Sequence, residues 1–271
     1  MKRRRMEHLF AGIDSGSWNT KAVVIDAAAN VRGTSVVRSG AALKAAAQLA
    51  LDVACKAADA KGADVAAAWS TGFGRHLLDR EMDVVSGTRT ELDCHARGVH
   101  HYIAGALTIV DIGGQDAKII RLDDSGRRVS HRMNRKCAAG TGSFLEEIAL
   151  RLGVSVDTLP RLADGWKQEV NLGAFCTVFT ATEVLTLIRE GTATTDLARA
   201  AYRSVVKRVL EMAEIVAPVV ATGGVIAHHP MVGTLLGEAL GLDVRVPVHP
   251  QEMGAFGAAL AARAAHTVEA T

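Results

Sequence analysis

No apolar run in this sequence approaches the roughly 20 residues that a membrane-spanning helix needs, and none of its four cysteines forms a CxxC pair. The first absence speaks against a membrane span, and the second weakens a zinc reading. A GxxxxGK[ST] phosphate loop is missing too, so nucleotide binding of the P-loop kind is excluded. Charge of one sign is scarce: the formal net charge is +2, too mild to argue for nucleic acid. The one basic run, Lys2–Arg5, reads as a solvated terminus. The opening "MKRRRMEHLFAGID" has the charged start of a signal peptide but no h-region, because Glu7 and His8 interrupt it and Asp14 ends it. A cytoplasmic location is therefore expected, where Cys55, Cys94, Cys137 and Cys176 argue against disulfides.

What is present is a chain of 271 residues, 49% hydrophobic and 22% charged, rich in alanine and glycine and with only five prolines. That balance is globular and long enough to bury a core in one large domain or two smaller ones. One pattern occurs twice. "GIDSGSWNTKAVVIDAAANVRGTSVV" (residues 12–37) and "VDIGGQDAKIIRLDDSGRRVSHR" (110–132) each run from an apolar strand into Asp, with Gly two positions later and Lys seven. The triplets are Asp14/Gly16/Lys21 and Asp111/Gly113/Lys118, and each is followed by two further strands. Glycine lets backbone N–H groups approach an anion, and a strand-end carboxylate can hold Mg²⁺ through water. Either hairpin alone is compatible with an ordinary tight turn; as a pair with their acids in register, they point to a polyphosphate gripped from both sides.

A third glycine turn follows the apolar strand Val219–Thr222, where Gly223–Gly224 opens a helix and suits close approach of a ring or ribose. Elsewhere helix and strand alternate: a helix over 41–60 precedes a strand over 63–70, and helices over 194–215 and 250–265 cover the C-terminal half. The expectation is an α/β fold with helices packed on sheets.

The thiols divide into two classes. Cys55 lies at apolar spacing in an alanine-rich helix, and Cys94 neighbours His95 on a helix, where adjacent residues do not face each other. Both read as structural. Cys137 ("CAAGTGSFLEEIALRL") and Cys176 ("CTVFTATEVLTLIREG") each sit just ahead of a predicted helix, where the dipole favours a thiolate and would favour an anionic iron–sulfur cluster. Two cysteines cannot hold a 4Fe–4S cluster, but a two-fold homodimer would supply two more. Two ordinary thiols remain the alternative.

The motifs "GIDSGS", "TGFGR", "CHARG", "DIGGQDAKII", "MNRKCAAGTGSFLE", "CTVFTATEV", "TGGV" and "PQEMGAFGAAL", spread over residues 12–262, resemble the ATP-dependent activators (component A) of 2-hydroxyacyl-CoA dehydratases. That family is shared with the ATPase subunits of benzoyl-CoA reductases. The resemblance implies the two-domain fold of acetate-and-sugar-kinase, heat-shock and actin-like ATPases, with an N-terminal subdomain over 1–105, a C-terminal one over 106–271, and the last helix packing back on the first. It implies ATP and Mg²⁺ at the hairpins. Asp14, Asp111 and Gln115 would be catalytic, and Ser15, Gly16, Ser17, Gly113, Gly114, Gly140, Gly142, Gly223 and Gly224 would line the nucleotide. A homodimer would hold one 4Fe–4S cluster through Cys137 and Cys176 of both chains, accept an electron from ferredoxin or flavodoxin, and pass it to a dehydratase. Other readings are the activating subunit of a benzoyl-CoA reductase-type complex, a small-molecule kinase of the same fold, and a non-catalytic nucleotide switch. Two departures from the family pattern stand out: His228–His229–Pro230 after the glycine pair, and Thr180 and Thr182 after Cys176.

Overall fold

Two five-stranded sheets are laid out on one plan, each begun by one of the repeated hairpins. The computed structural model describes residues 8–173 and 176–269, so the Lys2–Arg5 run lies outside the described residues. The chain divides into two compact units: residues 1–105, 124–128 and 252–271 form the first, and 106–123 with 129–251 the second.

The first unit contains β1 (Leu9–Ser15), β2 (Asn19–Ile25), β3 (Val31–Arg38), α1 (Leu43–Ala57), β4 (Val65–Gly72), α2 (Arg75–Glu81), β5 (Val85–Thr88) and α3 (Glu91–Tyr102). The second contains β6 (Leu107–Ile112), β7 (Ala117–Leu122), β8 (Arg128–Asn134), α4 (Gly142–Leu152), α5 (Leu159–Asp164), α6 (Thr177–Arg189), α7 (Thr194–Leu210), β9 (Val219–Thr222), α8 (Gly224–His228), α9 (Met231–Leu240) and β10 (Val244–Arg245). The last helix, α10 (Met253–Glu269), returns to the first unit. The helix expected to run to residue 215 stops at Leu210, and the last one starts at Met253 because Pro250 and its neighbours form a turn first.

Strand order is β3-β2-β1-β4-β5 in one sheet and, read from the matching end, β8-β7-β6-β9-β10 in the other. In both, the hairpin is antiparallel and the following strand joins parallel to its first member. The two first strands, β1 and β6, are buried along their whole length, as central strands covered on both faces should be. Ile13, Val24, Leu51 and Leu78 belong to the first core; Ile119, Phe144, Tyr202 and Leu236 belong to the second.

Packing of α10 in the first unit is backbone against backbone. A Cβ added at Gly12 of β1 would fall on the Ala255 carbonyl oxygen, and one at Gly257 on the carbonyl oxygen of Cys94 in α3. The small-residue sequence "GAFGAALAA" is what permits this approach. Gly257→Ala is accordingly expected to lower unfolding stability by about 3 kcal/mol through overpacking, read from denaturant midpoints. A loss under 0.5 kcal/mol would show that the helix shifts without cost.

Candidate functional site

The seven-residue spacing of Asp and Lys has a direct cause in register. Four residues separate the last cross-strand pair in each hairpin, Ser15–Thr20 and Ile112–Ala117, which places Asp14 opposite Lys21 across β1 and β2 and Asp111 opposite Lys118 across β6 and β7. The ammonium of Lys21 lies 3.0 Å from Asp14 Oδ2, and that of Lys118 lies 3.1 Å from Asp111 Oδ2. Both carboxylates are buried, so each cation holds its partner in one orientation.

The parallel neighbour adds a second element beside each hairpin. Thr71 on β4 is level with Asp14, and Thr222 on β9 is level with Asp111. Each threonine is followed by a glycine with positive φ, Gly72 at +84° and Gly223 at +100°. Beta carbons there would strike the backbone of Ser15 and of Ile112 respectively, so no larger residue fits. Thr-Gly at the end of an apolar strand is thus part of the repeat, a signal visible in "AAAWSTG" and "APVVATGG" but not joined to the hairpins by sequence reasoning.

The two hairpins differ in how far they satisfy their acids. Thr222 donates to Asp111 Oδ1 at 2.8 Å, and Lys118 also reaches Asp116 at 2.9 Å. Asp14 Oδ1, in contrast, is buried with no hydrogen-bond partner among the described residues, and so is the Ser15 hydroxyl beside it. A Cβ at Gly72 would strike Asp14 Oδ1 and one at Gly74 the Ser15 hydroxyl, so both oxygens are packed against glycines. His95 of α3, buried, has its Nε2 3.1 Å from where a Gly254 Cβ would stand, and Asp14 Oδ2 is 3.2 Å from the same point. A buried oxygen without a donor is costly unless a ligand completes it. The donor set therefore fits a hydrated cation at Asp14.

The remaining candidates sit on or near the loops. Ser17 and Gln115 are exposed at the hairpin tips. The Gly16 carbonyl accepts from Ser39 Oγ at 2.6 Å, and Gly113 N–H donates to the Asp116 carbonyl at 2.8 Å. Gly224 opens α8 with Gln251 packed against it. Gly142 and Ser143 start α4 and donate their N–H groups to the carbonyls of Gly113 and Gly114, at 2.9 and 2.8 Å. Ser143 Oγ also reaches the Gly114 carbonyl at 2.7 Å. The second hairpin loop is thus fastened to the N-terminus of α4 by three hydrogen bonds.

Cys137 does not lead that helix, contrary to expectation. Asn134 folds the intervening residues into a loop by accepting from Cys137 N–H at 3.2 Å and donating to the carbonyls of Cys137 and Ala139. Gly140, at φ +81°, turns the chain, and α4 begins five residues after the thiol. Cys176 does occupy the N-cap position of α6. Both thiols are exposed, and their helices α4 and α6 pack together within the second unit. Thr180, one of the departures, is buried and returns its hydroxyl to the Cys176 carbonyl at 3.1 Å; Thr182 stays on the exposed face. Cys55 and Cys94 are buried, and burial pushes their thiols up to about 11 and about 12. That makes them inert structural residues. Among the described residues, no group of three or more His, Cys, Asp or Glu is placed to hold a metal within one chain.

The other departure resolves into core and brace. His229 is buried and shares a 2.8 Å hydrogen bond with the Tyr202 hydroxyl, while His228 lies 3.0 Å from the Gln251 side chain. Burial, reinforced by His228, pushes the His229 imidazole down from 6.5 to about 4. The unfolded chain therefore binds the extra proton between those values. The stability this residue contributes is complete above pH 6.5 and is lost as pH falls towards 4. In His229→Gln the drop in denaturation midpoint between pH 6.5 and 4 should shrink; an unchanged drop would assign it to other groups.

Comparison with known proteins follows the same outline. The chain is 36% identical over 253 residues to the activator of lactoyl-CoA dehydratase from Anaerotignum propionicum, covering 92% of this chain and 95% of that one. Component A of the (R)-2-hydroxyglutaryl-CoA dehydratase of Acidaminococcus fermentans superposes at a TM-score of 0.89 with 33% identity, over 96% of this chain and 99% of that one. The activator of the 2-hydroxyisocaproyl-CoA dehydratase from Clostridium difficile, with bound ADPNP, gives 0.89 and 32%, over 97% of both chains. A ROK family glucokinase from Streptomyces griseus, 14% identical at a TM-score of 0.59 over 94% of this chain and 99% of that one, shows the fold alone. The fold is the expected α/β two-domain ATPase fold of sugar kinases and actin-like proteins. With its model matching residues 11–262, the BadF/BadG/BcrA/BcrD ATPase family is the one to which this chain belongs.

Proposed function

We propose that this protein hydrolyses ATP to drive a low-potential electron, through a 4Fe–4S cluster shared by two copies of the chain, into a 2-hydroxyacyl-CoA dehydratase in the cytoplasm. The observation that carries the reading is the fastening of Gly113 and Gly114 to the start of α4, directly after the Cys137 loop. A phosphate-binding hairpin joined to a thiol-bearing loop is what coupling hydrolysis to a redox group requires, whereas a kinase has no use for it. The named activators among the relatives support the dehydratase as acceptor.

The residues present fit the groups this function needs. Asp14, with one unsatisfied oxygen, would orient a hydrated Mg²⁺ or the attacking water. Lys21 and Lys118 keep the two carboxylates aimed, and the hairpin loops carrying Gly16–Ser17 and Gly114–Gln115 would meet phosphate oxygens. Cys137 and Cys176 are two exposed thiols, half of a four-thiolate set, and no third ligand joins them within one chain among the described residues. Bound Mg²⁺ would neutralise the developing phosphoryl charge, and the cluster would carry the electron. Loss of the γ-phosphate at Gly113–Gly114 would release or pull the α4 N-terminus and so reposition the Cys137 loop.

Iron and acid-labile sulfide per chain, on protein purified without oxygen, test the reading. About two of each per chain is expected, one cluster per dimer. Negligible iron after anaerobic reconstitution would leave an ATPase with two ordinary thiols and would overturn it.

A further inference from the structure

A second cationic segment runs up to the thiol loop, and the Asp14–Lys21 and Asp111–Lys118 pairs do not include it. From Ser125 to Leu145 the sequence has no acidic residue and five Lys or Arg: Arg127, Arg128, Arg132, Arg135 and Lys136. The whole chain carries only +2, so the rest of it is net acidic. The Lys2–Arg5 run is thus not the only basic one, contrary to the first reading of the sequence.

The segment includes β8, the edge strand of its sheet, which carries Arg128 and Arg132. Five consecutive residues, Arg128–Arg132, are exposed, so over that stretch neither strand face is covered; Val129 shows 67% of its surface. Charge on an edge strand is a common guard against edge-to-edge pairing. That explanation stops where the strand stops. Here the cations continue past Asn134 into the loop, as Arg135 and Lys136, and end at exposed Cys137. Arg128 pairs with Asp93 at 3.2 Å and Arg135 has Asp116 at 4.0 Å, whereas the Arg132 guanidinium lies 3.4 Å from a backbone carbonyl, that of His131.

We infer that β8 and the Arg135–Lys136 loop form the docking surface for an acidic electron-carrier protein that delivers its electron beside Cys137. This rests on the proposed cluster ligation by Cys137. Complementary charge steers encounter and orients the pair, and the apolar Val129 amid the cations supplies a contact that charge alone does not. An acidic carrier placed here lies against the residues leading directly to a cluster ligand, so docking and delivery use one surface.

Binding to a strongly acidic flavodoxin, immobilised and probed by surface plasmon resonance on anaerobically purified protein, tests the inference without needing electron transfer. Affinity should fall steeply as salt rises from low to physiological. Arg132→Glu should weaken it about tenfold at low salt, while Arg132→Lys keeps it. Wild-type binding by Arg132→Glu, or binding indifferent to salt, would overturn the assignment. So would equal affinity for polyglutamate or phosphatidylserine vesicles with the same loss in Arg132→Glu, which would mark a general polyanion surface. Iron is measured on the same samples: binding without iron would sink the cluster reading, and iron without binding would sink the docking surface.

Discussion

Replacement of either Cys137 or Cys176 by serine is expected to reduce iron from about two per chain to less than a tenth of that, while the chain stays folded. The size of the effect comes from cooperativity of ligation. If each chain supplies two of four thiolates, one substitution removes two ligands from the dimer's single site, and two remaining thiolates do not retain a 4Fe–4S cluster. Folding should survive because both side chains are exposed, so the substitution opens no cavity. Cys55→Ser and Cys94→Ser provide the contrast. Those thiols are fully buried, and serine there should cost stability while leaving the iron bound. Iron by mass spectrometry and unfolding by circular dichroism separate the two classes. Normal iron in Cys137→Ser or Cys176→Ser would refute the ligand assignment.

Which parts of the site could be read from sequence follows from how far along the chain each contact is made. The Asp14–Lys21 and Asp111–Lys118 pairs were legible because a hairpin with a fixed loop turns sequence spacing into cross-strand register. Thr71 and Thr222 were not, since their strands arrive beside the aspartates only after intervening helices. Gly223–Gly224 was recognised as a turn, but its necessity appears only when a Cβ is seen to strike Ile112. Hydrophobic periodicity located α4 while leaving its start open, because the Asn134 brace and the left-handed Gly140 carry no periodic signal. The paired histidines looked like a disturbance of a binding turn; only packing shows that His229 faces Tyr202 inside the core. The cations around β8 are less legible because they fall in short groups, Arg127–Arg128, Arg132 and Arg135–Lys136, which only the exposed edge strand and its loop bring onto one surface.

The two aspartates, equivalent by repeat, should respond differently to the same change. Asp14→Asn is expected to reduce ATP turnover at least about 100-fold with little effect on stability. Its Oδ1 has no hydrogen-bond partner among the described residues, so the change breaks no hydrogen bond there, and Lys21, 18% exposed, can be solvated once Asp14 is neutral. Asp111→Asn should also slow hydrolysis, but it should in addition lower unfolding stability by about 2 kcal/mol. Lys118 is only 2% exposed and would lose one of its buried acids while keeping Asp116, and Thr222 would lose the charge of its acceptor. On the proposed function Asp14 would serve a ligand, whereas Asp111 also closes a buried network. Steady-state ATPase rates paired with denaturant midpoints distinguish them. Equal stability losses in the two variants would show that the unsatisfied oxygen of Asp14 finds a partner in solution. Wild-type turnover by Asp14→Asn would remove that carboxylate from the chemistry altogether.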